Sequence, residues 1–274
     1  MSTIDSILVE HRVFPPSETF RERALVSGMD AYRALCEEAE SDYEGFWARM
    51  ARENLSWQRL FTQTLDESNA PFYQWFHDGL LNVSYNCIDR HLPVLANKIA
   101  LIFESDNGTV RRVTYAELSR LVGQFANGLK SLGVTKGDRV SIYMGMVPEA
   151  VIAMLACARL GAVHSVVFGG FAAEALHSRI VDCQARVVLT QDGAWRRGHV
   201  VAMKPVVDAA IALGSAVDKV IVLRRTGSAI TMHADRDLWW DDALALADPA
   251  ALAAPPPQLD AGSLDALDGR AGDK

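Results

Sequence analysis

"RVSIYMGMVPEAVIAMLACARLGAVHSVVFGG", from Arg139 to Gly170, reads as strand, helix, strand. The outer pieces "RVSIYMG" and "AVHSVVF" are short apolar runs rich in β-branched residues, as strands are. The middle piece, "PEAVIAMLACARLG", carries Pro148 near its first turn and Gly161 just past its end. Proline is pre-set for a helix start and glycine for the left-handed turn that stops one. A strand that returns through a helix to a second strand implies a right-handed crossover and a parallel pair. The pattern continues on both sides. "KIALIFES" (98–105), "RVVLTQD" (186–192) and "KVIVLRR" (219–225) read as further strands. "YAELSRLVGQFANGLKSLG" (115–133), "AAEALHSRIVDCQ" (172–184) and "VAMKPVVDAAIALGSA" (201–216) read as helices. The fold class is α/β, with a largely parallel sheet covered by helices over residues 96–250. The later strands are continuous apolar runs, as expected of strands buried on both faces. His164, inside one of them, is therefore expected to be a satisfied core histidine.

Residues 1–95 have a different texture and are expected to form a helical lead-in. "MDAYRALCEEAESDYEGFWARMAREN" (29–54) sets Tyr32, Leu35, Ala39, Tyr43, Phe46, Trp47 and Met50 at three- and four-residue spacing, the period of an amphipathic helix. Ser41, with Glu44 three residues on, fits a capping box. In "APFYQWFHDGLLNVSYNCIDRHL" (70–92), Trp75, Phe76, Leu80 and Leu81 need burial, and Asp89–Arg90–His91 reads as a salt-bridged helical turn. Residues 251–274, ending "APPPQLDAGSLDALDGRAGDK", are proline-rich at first and read as a linker or tail.

Composition excludes several classes. The chain has 274 residues, half of them hydrophobic, and a formal net charge of −7, which argues against a nucleic-acid partner. The longest uncharged apolar run, "AVIAMLACA" (150–158), falls far short of the ~20 residues that span a bilayer, so no membrane association is expected. The start, "MSTIDSILVEHRVFPP", has early acids and no long apolar stretch, unlike a secretory signal. Cys36, Cys87, Cys157 and Cys183 are far apart, without a paired spacing or clustered histidines. Reduced core thiols in a cytoplasmic protein are expected, with neither a disulfide framework nor a metal site.

No phosphate-loop motif, dinucleotide fingerprint, zinc-protease helix or nucleophile elbow is present, and no catalytic constellation can be assembled. Two segments could hold an anion. In "VVFGGFAAEAL", Gly169–Gly170 join a strand to a helix whose N-terminal N–H groups would favour negative charge. In "DGAWRRGHVVAMKPVVD" (192–208), Arg196, Arg197, His199 and Lys204 gather possible phosphate donors at the carboxyl edge of the sheet. Open α/β sheets bind ligands at that edge. On the residues alone, each segment also reads plainly: the first as a tight turn, the second as a solvated basic loop.

"LLNVSYNCIDRHL" (80–92), "VSIYMGMVPEAVIAMLACARLGAVHSVVFGGFAAEAL" (140–176) and "WRRGHVVAMKPVVD" (195–208) resemble the AMP-forming acetyl-CoA synthetases. These belong to the adenylate-forming superfamily of acyl-CoA synthetases. The resemblance runs from about Phe20 to Ala261 and implies the first part of that superfamily's large N-terminal domain. It implies an acetate–CoA ligase that converts acetate, ATP and coenzyme A, with magnesium, to acetyl-CoA, AMP and pyrophosphate. It further implies that Arg196, Arg197, Gly198 and His199 contact the nucleotide end of coenzyme A, with Arg196 the main phosphate donor. Gly169 and Gly170 would line the approach of that ligand. The sequence departs at His199, where the family carries Arg or Lys, and an imidazole clamps phosphate less strongly unless the phosphate itself raises its pKa. The family's Ser/Thr/Gly-rich phosphate loop should follow Asp260, and from Gly262 onward "GSLDALDGRAGDK" does not resemble it. The tail is therefore expected to be a break within a longer enzyme, leaving no catalytic residue in this chain. ATP and magnesium would act only in the complete enzyme. The remaining part could come from another chain. The alternatives are a non-enzymatic module that binds coenzyme A or a partner, and a truncation product without function.

Overall fold

The computed structural model describes residues 12–246 and 259–260. The chain parts into two compact units, dividing after Asn54. The first holds helices α1 (Glu18–Arg23), α2 (Gly28–Ser41) and α3 (Tyr43–Asn54). The periodicity of 29–54 thus yields two helices. The residue that starts the second is Asp42, whose Oδ1 accepts the Gly45 N–H at 3.0 Å. Ser41 does not cap: it closes α2, its hydroxyl donating to the Glu38 carbonyl at 3.0 Å. A carboxylate one residue closer to the helix takes the role because it reaches the third N–H directly. Arg49 on α3 braces α2 by donating from Nε to Glu38 at 2.9 Å.

The second unit begins with turns and two-residue strands, β1 (Leu65–Asp66), β2 (Gln74–Trp75) and β3 (Leu80–Leu81). Trp75, Phe76 and Leu80 are half-buried and Leu81 is buried. Trp57, Phe61 and Phe76 pack as an aromatic cluster with ring centroids 4.6–5.7 Å apart. Next come α4 (Val83–Cys87) and α5 (Leu92–Leu95), separated by a single 3-10 turn at Asp89–His91. The carboxylate of that turn pairs with a distant partner: Arg159 donates to both Asp89 oxygens, at 2.8 and 3.1 Å. A hairpin of β4 (Ile99–Glu104) and β5 (Val110–Thr114) follows, and then α6 (Tyr115–Ser131), capped by the Thr114 hydroxyl.

From there the chain winds the central sheet through β6 (Arg139–Ile142), α7 (Pro148–Leu160), β7 (Val163–Val166), α8 (Ala173–Asp182) and β8 (Val187–Gln191). It continues through a separate hairpin, β9 (Gly193–Arg196) and β10 (His199–Ala202), then α9 (Lys204–Ala212), β11 (Lys219–Leu223), β12 (Asp237–Trp239) and α10 (Trp240–Ala245). A last short strand, β13 (Leu259–Asp260), pairs antiparallel with β3. The sheet has five strands, ordered β12-β11-β8-β6-β7, and every pairing is parallel. Pro148 and Gly161 punctuate α7 as the sequence suggests, Gly161 standing at φ 76° and returning its N–H to the helix.

Helices cover both faces. On one, α6, α7 and α10 supply Phe125, Leu129, Ile152, Ala156 and Trp240 against Val140, Ile142, Leu189 and Ile221. On the other, α8 and α9 supply Leu176, Ile180, Val207 and Ala210 against Val188, Val220 and Val222. Neighbouring residues of β8 and β11 enter opposite cores, so these strands need apolar side chains throughout. The expectation fails for β7. It lies at the sheet edge, with His164 exposed and Val166 57% exposed. His164 is not a core residue, because an edge strand has a neighbour on one side only.

Candidate functional site

The strand order reverses between β6 and β8. The chain leaves β6 to build β7 on one side, then crosses back to build β8 on the other. At such a switch point the loops leaving the two strands part, opening a crevice at the carboxyl edge. The loops there are 143–147 after β6, 167–172 after β7, and the hairpin that follows β8.

Three contacts hold these loops together. The Tyr143 hydroxyl, from the end of β6, donates to the Phe171 carbonyl at 2.8 Å. The Gly145 N–H donates to Gln191 Oε1 at 3.2 Å, and Gln191 Nε2 donates to the Gly193 carbonyl at 2.8 Å. Gly169 packs so close to the β6 end that a Cβ there would stand 3.0 Å from the Met144 carbonyl oxygen. Any larger residue would push on the Met144 backbone and displace the Met203 methyl, so packing as well as chain direction favours glycine at this turn.

Both anion-binding candidates meet here. Within 192–208, residues 193–202, read in sequence as a loop, form a β-hairpin in which Arg196 pairs with His199, and α9 begins at Lys204. Arg197 and Gly198 form its two-residue turn, with φ of 51° and 78°. Two consecutive positive φ values mark a tight turn whose twist suits the flanking strands. Arg196, Arg197, Gly198 and His199 are all exposed. The Arg196 guanidinium reaches back to the Gly169–Gly170 turn. A Cβ on Gly170 would lie 3.0 Å from Arg196 Nη1 and 2.7 Å from the Phe168 ring. The guanidinium carbon stands 5.9 Å from the centroid of that ring, which is 63% exposed. Arg196, Gly170 and Phe168 thus share one open surface, cationic and aromatic, beside the switch point.

Lys204 does not join them. Its side chain is fully buried, donating to both Asp208 oxygens at 2.7 and 2.8 Å and pairing with Asp237 at 2.7 Å. The expectation of a phosphate donor at this position is corrected: the ammonium is the counter-charge of two internal carboxylates. Asp208, His233 and Asp237 are the one group among the described residues with the spacing of a metal site. The space between those carboxylates holds Lys204 and Arg236, so cationic side chains already neutralise it.

Phe168, Tyr143, Gln191 and Asp192 escaped the sequence reading. Phe168 was visible only as the end of a strand. The hairpin had a local signal in the alternating "GAWRRGHVVA", but its turn is Arg-Gly instead of the more telling Asn-Gly. Asp192 is buried and accepts four backbone N–H groups. Burial alone would raise its pKa, but these donors, led by Thr226, outweigh it and hold the carboxyl below its ordinary value. All four cysteines are free thiols, and burial pushes that of Cys157 up to about 12. No described helix is long and apolar enough to cross a membrane.

Known proteins are similar to this chain over most of its length. The AMP-binding enzyme family matches residues 88–262, and the acetyl-coenzyme A synthetase N-terminus matches residues 32–87. Acetyl-coenzyme A synthetase of Thiobacillus denitrificans is 59% identical over 244 residues, which is 88% of this chain and 37% of that protein. The enzyme of the same name from Methylobacillus flagellatus is likewise 59% identical over 244 residues. The chain therefore spans 37% of the length of these relatives. Acetoacetyl-CoA synthetase from Streptomyces lividans has a similar structure, with a TM-score of 0.75 at 25% identity over 87% of this chain and 36% of that one.

Proposed function

We propose, from the premise that this chain belongs to the AMP-binding enzyme family, that it is the coenzyme A-contacting portion of an acetate–CoA ligase. In this reading the hairpin holds the nucleotide end of coenzyme A. Arg196 offers its planar fork to the phosphates, and a guanidinium matches phosphate oxygens better than an ammonium does. Arg197 and His199 add charge or donors at the turn, and Gly198 lets the backbone approach closely. Gly169 and Gly170 would line the ligand's approach by letting the turn pack close to Met144, Phe168 and Arg196, and the Phe168 ring gives a base a face to stack on.

The observation that carries this reading is the meeting of Arg196, Gly170 and Phe168 at the carboxyl edge, beside the switch point. The residues fit a phosphorylated nucleotide: an exposed cation and a π-face beside it. For ATP with magnesium the described residues offer no comparable fit, because their acidic cluster is neutralised by Lys204 and Arg236. We therefore assign this chain ligand binding without adenylate chemistry of its own. ATP and acetate would be handled by the longer enzyme, in cis or by another chain, in the cytoplasm.

Titration calorimetry with coenzyme A tests the binding. Arg196→Ala should weaken it about tenfold or more, since a hydrogen bond to a charged group contributes about 1.5–3 kcal/mol. Equal binding by wild type and variant, or none by wild type, would remove the proposal. Acetate-dependent ATP–pyrophosphate exchange should be undetectable with this chain alone, and clear exchange would contradict the division of labour.

A further inference from the structure

An isolated two-stranded hairpin is marginal in water. The one formed by Gly193–Ala202 pairs with no strand of the central sheet, and every residue of β10 is exposed. Ala194 packs its first strand against the α8–α9 core and Arg196 reaches the Gly169–Gly170 turn, while its base is tied by Asp192. One carboxylate oxygen accepts the N–H of Gly193 at 2.7 Å, of Arg225 at 2.9 Å and of Thr226 at 3.0 Å. The other accepts the Gly227 N–H at 2.8 Å. The Asp192 carbonyl accepts the N–H of Met203, where the second leg of the hairpin rejoins the body, at 3.3 Å. Successive backbone N–H groups make a concavity that holds anions. Here Arg225–Gly227 make one, and the anion filling it is the side chain from which the hairpin departs.

We propose that Asp192 is a positioning residue that couples the Arg225–Gly227 loop to the hairpin, so that seating coenzyme A on Arg196 and ordering that loop are one event. This rests on the reading that the hairpin binds coenzyme A. The loop does not carry the proposed ligand contacts, yet it shares one residue with both legs of the element that does: the Asp192 carboxylate bonds the loop and the first leg, and the Asp192 carbonyl bonds the second. A ligand that steadies the hairpin therefore steadies the loop, and loosening the loop loosens the hairpin, because coupling between two sites is reciprocal.

Hydrogen–deuterium exchange of the whole chain, with and without saturating coenzyme A, tests this in wild type, Asp192→Asn and Gly227→Ala. Asparagine keeps the volume but turns an acceptor into an N–H group facing N–H groups. Gly227 stands at φ 74° in open space, so Ala strains the loop from the surface and leaves the core alone. If Asp192→Asn does not fold, Gly227→Ala carries both arms. Without ligand, amides 194–202 should exchange about tenfold faster in both variants, as expected when a local opening becomes cheaper. With coenzyme A, the wild-type amides of Arg225, Thr226 and Gly227 should slow by about threefold or more, and those of the variants should not. A purely structural Asp192 would not relay the ligand to that loop. Unchanged hairpin exchange in the variants, or wild-type protection confined to the hairpin, would overturn the proposal. If coenzyme A protects nothing in wild type, the binding reading falls, and the ligand-free arm still decides whether Asp192 ties the two loops.

Discussion

The central sheet and the hairpin that leaves it are built on opposite terms. In β8 all five residues are buried, and Val187, Val188 and Leu189 alternate between the two cores. In β10 all four residues are exposed, and the strand has a single partner. The sheet is held by many apolar contacts, none of them decisive. The hairpin is held by a few polar contacts at its base, by Ala194 on the core and by Arg196 at the Gly169–Gly170 turn, and losing one would be felt along its length. Stability is thus concentrated in one region and the proposed ligand contact in the other. The separation can be broken by any substitution that moves both properties.

The largest effect is expected at Phe125. Its ring is fully buried and stacks on Trp240 with centroids 3.8 Å apart and planes 12° from parallel. Phe125→Ala should lower unfolding free energy by about 4 kcal/mol in urea denaturation, the usual cost of emptying a large aromatic site. Coenzyme A affinity of the molecules still folded should not change. A large loss of affinity would mean that the hairpin senses the core, and the comparison would fail.

Lys204→Met comes next, at about 3 kcal/mol, since removing one partner strands buried carboxylates. Arg236 still donates to Asp237, at 2.6 Å, which keeps the loss below that of an unassisted pair. This variant sharpens the comparison because Lys204 directly follows the hairpin's return to the body. If the lysine were a phosphate donor, affinity would fall along with stability. With its ammonium buried between Asp208 and Asp237, stability alone should fall.

Acid should act on both regions through two carboxylates. Burial would raise the pKa of Asp237, but Arg236, the His233 N–H and Lys204 outweigh it and bring it below the ordinary value. Asp192 is lowered too, by its backbone donors. A carboxyl whose folded pKa lies below its unfolded one, about 3.9 for Asp, stabilises fully above the unfolded value. That contribution disappears as pH falls through the folded one. Urea midpoints should therefore hold steady from pH 7 to 5 and decline below pH 4. In Asp192→Asn the decline should be shallower. An equally steep decline would show that Asp192 contributes nothing to acid stability.

How much could be read from the residues follows the same divide. The β6–α7–β7 unit was legible because Pro148, Gly161 and the apolar runs act locally. That β7 would be an edge was not legible, because strand order depends on which strands pair and not on what a strand contains. His164 was misjudged for that reason. Lys204 was misread because one of its partners, Asp208, is a helical turn away, while the buried Asp237 arrives only with a later strand. For the site, the residues alone singled out the two glycines and the Arg196 segment as anion candidates, the resemblance implied coenzyme A for them, and Arg196 lies beside Gly170 in the structure. Gln191 and Asp192 read as the polar end of a strand, because their partners are backbone groups and leave no mark in a sequence.

The smallest effect is expected at the hairpin turn. Arg197 occupies the left-handed region, where an arginine is strained and an asparagine is at ease. Arg197→Asn should therefore relieve the turn by about 0.5 kcal/mol, read as slower amide exchange in residues 194–202 and no change in global unfolding. The same substitution removes an exposed positive charge, and such a charge contributes at most about 1 kcal/mol to an ion contact. Coenzyme A should bind about threefold more weakly despite the steadier hairpin. The two readouts move in opposite directions only if Arg197 was retained for its charge against the preference of the backbone. If affinity rises with the slower exchange, the arginine is a tolerated turn residue, and the phosphate contact belongs to Arg196 alone.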